Sequence, residues 1–310
     1  MALTVVGSIA FDSVTTPFAS RERMLGGSAV HFALAASFFT DVRIVGPVGE
    51  DFGEQQLTLL RSRGIATEDI ERVAGGRTFF WRGHYDHDLN VAHTDDTQLG
   101  VFGDFSPKLS DASRDCDVLF LANIQPSLQL EVREQCENAR FVALDSMNLW
   151  IENARRELLE VIARVDCVLL NDAELRMLTG KPSLPAAARA VLQLGPRAVV
   201  AKRGEYGAAI FTEDGFYALP AFPLEDVVDP TGAGDSFAGG LLGAIAADGG
   251  EVDQESLRRA MACGTALASF NVQELGTDRV ARLAGGEVES RIEELRQITR
   301  MPDASVTLRA

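Results

Sequence analysis

The 310-residue chain has no apolar run that approaches membrane-spanning length, so no transmembrane helix is expected. It also lacks positive charge. Its 45 Asp and Glu against 29 Lys and Arg leave a net charge of −16, which argues against nucleic acid or an anionic membrane as a partner. With that deficit, any phosphate site must be made positive locally, by metal ions and backbone amides. Cysteine is scarce. Cys116, Cys136, Cys167 and Cys263 show no paired short spacing, so they predict reduced buried thiols in a cytoplasmic protein rather than a zinc site or a disulfide framework. No basic leader or cleavage site precedes the strand-like Leu3–Ile9, so no signal peptide is expected. Internal repeats and low-complexity linkers are missing too. So are two nucleotide-binding patterns. Gly180-Lys181 runs into Pro182, which breaks the Walker pattern, and Gly232-Ala233-Gly234 meets Phe237 where a dinucleotide fingerprint needs its third glycine.

What is present is apolar periodicity. At 46% hydrophobic residues the chain can bury a substantial core, and its length suits one large α/β unit with an appendage. Leu3–Ile9 predicts a buried strand with Asp12 just past its end. Ser13 to Leu25 is polar, with room for a short strand pair. Ser28–Phe39 is apolar nearly all round and predicts a buried helix with Ser28 as its N-cap. Val42–Val48 and a helix over Gln55–Arg63 continue a strand–helix alternation that implies a parallel sheet. Strands at Val118–Leu121, Phe141–Leu144, Cys167–Leu170 and Ala198–Ala201 resume it, with helices near Leu128–Glu137, Ala154–Ala163, Glu174–Leu178 and Ala186–Leu194. Gly207–Phe211 and Phe216–Leu219 flank Glu213-Asp214-Gly215 as a hairpin, and helices follow at Gln254–Phe270 and Glu287–Thr299.

Thr78 to Phe102 interrupts the alternation. Phe79, Trp81 and Tyr85 occupy alternate positions before the turn residues Asp86, Asp88 and Asn90, which predicts a hairpin with one aromatic face. Three of the four histidines, His84, His87 and His93, fall in it. The offset of three puts His84 and His87 on opposite faces, so no zinc site is expected.

The stretch Asp229 to Gly240 carries the most chemistry. A short extended run precedes it, and Phe237, Leu241 and Ile245 then form an apolar helical stripe that Gly249-Gly250 ends. Gly232, Ala233 and Gly234 therefore stand at a helix N-terminus, where free backbone N–H groups and the helix dipole favour an anion. Asp235 lies in the same first turn. A carboxylate would repel a resting phosphate, which fits a general base that takes a proton from an attacking hydroxyl.

Asp229-Pro-Thr-Gly-Ala-Gly-Asp235 and the small residues after it resemble the C-terminal signature of the ribokinase-like (PfkB) carbohydrate kinases. Gly26-Gly27-Ser28, Val48-Gly49-Glu-Asp51-Phe-Gly53, Asn171-Asp-Ala-Glu174 and Lys202-Arg-Gly204-Glu-Tyr-Gly207 follow that family's order and spacing, from Leu3 to about Arg300. The resemblance implies a doubly wound, mainly parallel α/β sheet with a small β lid. Residues 1–12, 26–76 and 103–300 would form the core, 13–25 and 77–102 the lid, and 301–310 a tail.

It also implies ATP-dependent, Mg²⁺-dependent phosphorylation of a hydroxyl on a sugar-like acceptor. Asp235 would be the base and the turn of Gly232, Ala233 and Gly234 the anion site. Asn171, Glu174, Lys202, Gly204, Gly207, Thr231 and Gly264 would hold the nucleotide, with Glu174 reaching Mg²⁺ through water. On local grounds alone, Asn171 and Glu174 also form a helix capping pair, and Lys202 stands equally well in a solvated turn. Asp229 and Thr231 match positions that hold a monovalent cation such as K⁺, although Pro230 replaces the usual threonine between them. Asp12, Gly26, Gly27, His31 and Asn123 would face the acceptor, with Asp145 and Asn148 on the same sheet edge. Ala10 and His31 stand where ribokinases proper carry asparagines, which argues against ribose itself. A nucleoside acceptor and a non-catalytic sugar sensor on the same fold are the alternatives, and a homodimer through the lid is the expected protein contact.

Overall fold

The computed structural model describes residues 2–250 and 252–300, so the tail expected from 301 lies outside the described residues. In chain order its elements begin with β1 (Ala2–Val6), β2 (Ala10–Thr15), β3 (Ser20–Gly26), α1 (Ser28–Ala36), β4 (Asp41–Val48), α2 (Glu54–Ser62) and β5 (Ile70–Arg72). The hairpin follows as β6 (Phe79–Tyr85) and β7 (Ala92–Gln98). Next come α3 (Asp111–Arg114), β8 (Val118–Leu121), α4 (Pro126–Gln135), β9 (Phe141–Asp145), α5 (Asn148–Asn153), α6 (Arg155–Ile162), β10 (Cys167–Asn171), α7 (Asp172–Thr179), α8 (Leu184–Leu192) and β11 (Ala198–Lys202). The last elements are β12 (Ala208–Thr212), β13 (Gly215–Leu219), α9 (Ala233–Ala247), α10 (Gln254–Asn271), α11 (Asp278–Ala281) and α12 (Gly285–Thr299).

Nine strands form one sheet in the order β13-β12-β11-β10-β9-β8-β1-β4-β5. It is parallel from β5 to β11, and the β12–β13 hairpin adds an antiparallel edge. Alternate side chains enter two apolar layers, as burial on both faces requires. Leu3, Val5, Val118 and Phe120 join the layer of α1, α9 and α10, whereas Val6, Leu119 and Leu121 join that of α4, α6, α7 and α8. The chain reverses its direction of winding between β1 and β8. The ends of strands beside such a reversal are where doubly wound sheets place their ligands.

Four strands form a second sheet, β3-β2-β6-β7, in which β2 and β6 run parallel and the other pairs antiparallel. The expected polar strand pair and the aromatic hairpin are thus one structure. It begins at Ala10, because β1 stops at Val6 and the chain crosses from one sheet to the other over Gly7–Ile9. Asp12 therefore sits within a strand of the small sheet rather than just past a core strand. Two other local expectations change. Gly27, not Ser28, is the N-cap of α1, because the Ser28 hydroxyl is engaged with Ser8. The segment after β9 forms α5 before the expected helix, which begins at Arg155.

Glycines set the position of α9. A Cβ on Gly239 would overlap the carbonyl of Phe32 in α1, and one on Gly264 would stand 2.7 Å from the carbonyl of Phe237. The bare faces let α9 lie close to α1 and α10, which fixes where its N-terminus points.

Candidate active site

The N-terminus of α9 is a tight turn. Gly232 has φ 74°, the left-handed region, and a Cβ there would also overlap the His31 ring. Ala233 N–H donates to the Pro230 carbonyl at 3.1 Å and Ser236 N–H to that of Gly232 at 2.8 Å, while among the described residues the N–H of Gly234 makes no backbone hydrogen bond and that of Asp235 turns to its own carboxylate. An N–H without a backbone partner is the donor that an anion at a helix start uses.

Three residues hold the turn from below. Buried Asp229 accepts from the N–H of Thr231 and of Gly276, both at 2.9 Å. Asn271, at the end of α10, donates to the Thr231 carbonyl at 2.7 Å and accepts from the Ser236 hydroxyl at 3.0 Å. His31 Nδ1 lies 3.0 Å from the same Asn271 oxygen. The pKa of His31 is lowered, chiefly by burial, so the ring is neutral. Asn271 was absent from the sequence-based site. Its only signal was a polar side chain directly after Phe270, at the end of a helix whose last turns are largely apolar.

Carboxylates surround this turn. Asp235 is pushed up to about 8, chiefly by burial and further by the charge of Asp145, with Lys202 opposing. Glu174 is pushed up to about 7 by burial. It makes the reciprocal capping pair with Asn171: Glu174 N–H donates to Asn171 Oδ1 at 2.8 Å and Asn171 N–H to Glu174 Oε2 at 2.7 Å. Lys202 is not in a solvated turn. It ends β11 beside the end of β9, its Nζ bonds Asp145 Oδ2 at 2.6 Å, and the two side chains are only 18% and 6% exposed. Past it, Gly204 (φ 53°) and Gly207 (φ 85°) shape a loop closed by Arg203 N–H donating to Gly207 at 2.8 Å.

Opposite the turn stands Asp12. Its Oδ2 is 3.4 Å from Gly27 N, and a Cβ on Gly26 would overlap the carboxylate. Burial pushes its pKa up to about 7. The strand register pairs Asp12 with Trp81, and side chains so paired share one face of a sheet. Trp81 covers Gly83 on that face, and Tyr85, farther along it, reaches the anion turn, where its hydroxyl lies 3.1 Å from Thr231 Oγ1. Phe79, at the start of the same face, stacks on Phe102.

The remaining expected residues are placed less centrally. Asn123 accepts from the Trp150 indole at 2.9 Å and turns its amide toward the Met147 sulfur at 3.1 Å. Asn148 is exposed at the start of α5. Gly264 packs on α9, as described above. His84 and His93 stack across the hairpin with ring centroids 5.0 Å apart, each bound to its own carboxylate, Asp95 and Asp86. Asp51 has a role that the motif alone did not show. Its carboxylate accepts from the Thr78 N–H and hydroxyl and from Arg23, at 2.6–2.8 Å, and so ties both halves of the small sheet to the core.

Comparison with known proteins finds similarity along most of the chain. Residues 4–282 match the model of the pfkB family carbohydrate kinases. The chain is similar to a cytidine kinase of Thermococcus kodakarensis, with 32% identity over 247 residues that cover 77% of this chain and 87% of that protein. Its fold is similar to that of a Burkholderia thailandensis nucleoside kinase solved with inosine (TM-score 0.76, 23% identity, 94% and 97% of the two chains). It is also similar to that of an aminoimidazole riboside kinase from Salmonella enterica, solved with aminoimidazole riboside and an ATP analog (TM-score 0.73, 21% identity, 94% and 100%).

Proposed function

Because the chain belongs to the pfkB family of carbohydrate kinases, enzymes that phosphorylate a hydroxyl of a sugar or sugar-like acceptor with ATP, we propose that Asp235 is its general base. The observation that carries this reading is that one helix turn brings together the Gly234 N–H, which makes no backbone hydrogen bond among the described residues, and the buried Asp235 carboxylate, within electrostatic reach of Asp12. Asp12 accepts hydrogen bonds from acceptor hydroxyls and sets the orientation of the acceptor. Asp235 takes the proton of the reacting hydroxyl, and the Gly232–Gly234 turn holds the charge that builds on the phosphoryl oxygens. Gly26 leaves room for the Asp12 carboxylate, and Gly27 (φ 95°) for the backbone of Ser8 and Ala10.

Mg²⁺ fits the donor set. Glu174 accepts the Asn171 N–H at Oε2 and offers its other hard oxygen, through which it would hold the ion by way of water as it enters with the nucleotide. When bound, the ion would neutralise phosphate charge. For K⁺ the fit is poor. Each Asp229 oxygen already accepts a backbone N–H, and anchoring the turn is sufficient reason for that carboxylate. The unpaired cysteines suit a cytoplasmic protein, and the exposed Phe18 and Val91 at the tips of the lid suit a homodimer through it.

A nucleoside is the second reading of the acceptor, favoured by Trp81. The indole shares the face of Asp12, where a base attached to the ribose could stack on it. ADP release measured against ribose, fructose, cytidine and inosine separates the two readings. Turnover of the nucleosides alone selects the second, and no turnover with any acceptor contradicts both.

A further inference from the structure

We propose that Lys202 is a catalytic residue that donates hydrogen bonds to the phosphoryl group in flight, and that Asp145 is the positioning residue that holds it there. The inference rests on the kinase reading above and adds a component to it.

Three observations carry it. The first is place. A Cβ on Gly234 would stand 3.2 Å from Lys202 Nζ, so the ammonium borders the N-terminal turn of α9, where the phosphoryl group would be held. The second is charge. Around that turn, among the described residues, the carboxylates of Asp12, Asp145, Glu174 and Asp235 act on one another or on a single cation, Lys202. Burial works against the lysine charge, but the carboxylates of Asp145 and Glu174 outweigh it, and the pKa is raised. The group stays an ammonium, and an incoming phosphoryl group needs one in so acidic a place. The third is availability. An ammonium has three donors, and Asp145 engages one of them.

The step balances without moving the lysine proton. The acceptor oxygen bonds to the γ-phosphorus as its proton passes to Asp235. The bond from that phosphorus to the bridging oxygen breaks, and its electron pair leaves on ADP. Lys202 is protonated before and after. A purely structural ion pair is the competing account. It explains the 2.6 Å contact but not why the pair borders Gly234, and buried pairs often add little net stability.

The test uses Asp145→Asn/Lys202→Met, which removes both members of the ion pair together, alongside wild type and Asp235→Asn. Two quantities are measured on each: steady-state turnover over the acceptor panel, and calorimetric affinity for Mg·ADP with and without aluminium fluoride, a mimic of the phosphoryl in flight. The double variant is expected to melt within a few degrees of wild type. Its kcat should fall about 10²-fold with acceptor KM changed less than about threefold, the loss typical of removing one such donor. Fluoride should tighten ADP binding at least about tenfold in wild type and in Asp235→Asn, and not in the double variant. A double variant that keeps both the fluoride increment and more than about a third of kcat would make the pair structural and overturn the proposal. If wild type turns over none of the acceptors, the substrate reading fails, and the fluoride arm still decides Lys202.

Discussion

Tyr85 of β6 and Thr231 of the anion turn lie 3.1 Å apart, hydroxyl to hydroxyl, 146 residues apart in sequence. This bond joins the small sheet to the N-terminal turn of α9. Asp51 ties the other end of the sheet to the core, so the sheet has an anchored end and a releasable one.

Tyr85→Phe should release the second end. Amide exchange over 79–98 is expected to quicken in the free protein and to slow again when acceptor is added. ATP hydrolysis without acceptor should rise, because a looser cover admits water. Exchange unchanged by both the substitution and the acceptor would make the sheet a fixed extension of the fold.

Gly26→Ala should act like Asp12→Ala. The added methyl displaces the Asp12 carboxylate, so both variants are expected to weaken acceptor binding at least about tenfold, the loss of a charged hydrogen bond, with Mg·ATP affinity unchanged. Since Asp12 is pushed up to about 7 and accepts best when ionised, acceptor KM should rise as pH falls below about 7 in wild type and not in Asp12→Asn. Wild-type acceptor affinity in all three variants would return Asp12 to a structural role.

The sequence made the parallel sheet, both hairpins and the α9 turn legible, because each is a local apolar pattern bounded by turn residues. Its periodicity did not show that Ser13–Leu25 and Thr78–Phe102 join in one sheet, although the family resemblance assigned both to one lid. The β2–β6 pairing that unites them links segments about 70 residues apart and leaves no periodic mark. Lys202 was ambiguous for the same reason. A lysine after an apolar strand is ordinarily exposed, and what buries this one is Asp145, 57 residues away. Asp51 and Asn271 act through backbone groups of distant loops, so their residue types alone said little.

Stability should carry the signature of the strained site. The folded protein raises the pKa of Asp235 from 3.8 to about 8, so between those values the folded state binds the proton more tightly and stability falls as pH rises. Asp235→Asn removes that dependence. In the free protein, melting temperatures of variant and wild type should agree near pH 4, and the variant should be the more stable by several degrees at pH 8 and above. A constant difference across the range would mean that Asp235 is not desolvated.

The central claim is that Asp235 takes the acceptor proton, and the turnover number of Asp235→Asn tests it most directly. The asparagine keeps the shape of the turn and cannot accept the proton. The account predicts a fall of ~10²–10⁴ in kcat with Mg·ATP affinity retained. A variant that keeps more than about half of the wild-type kcat would contradict it.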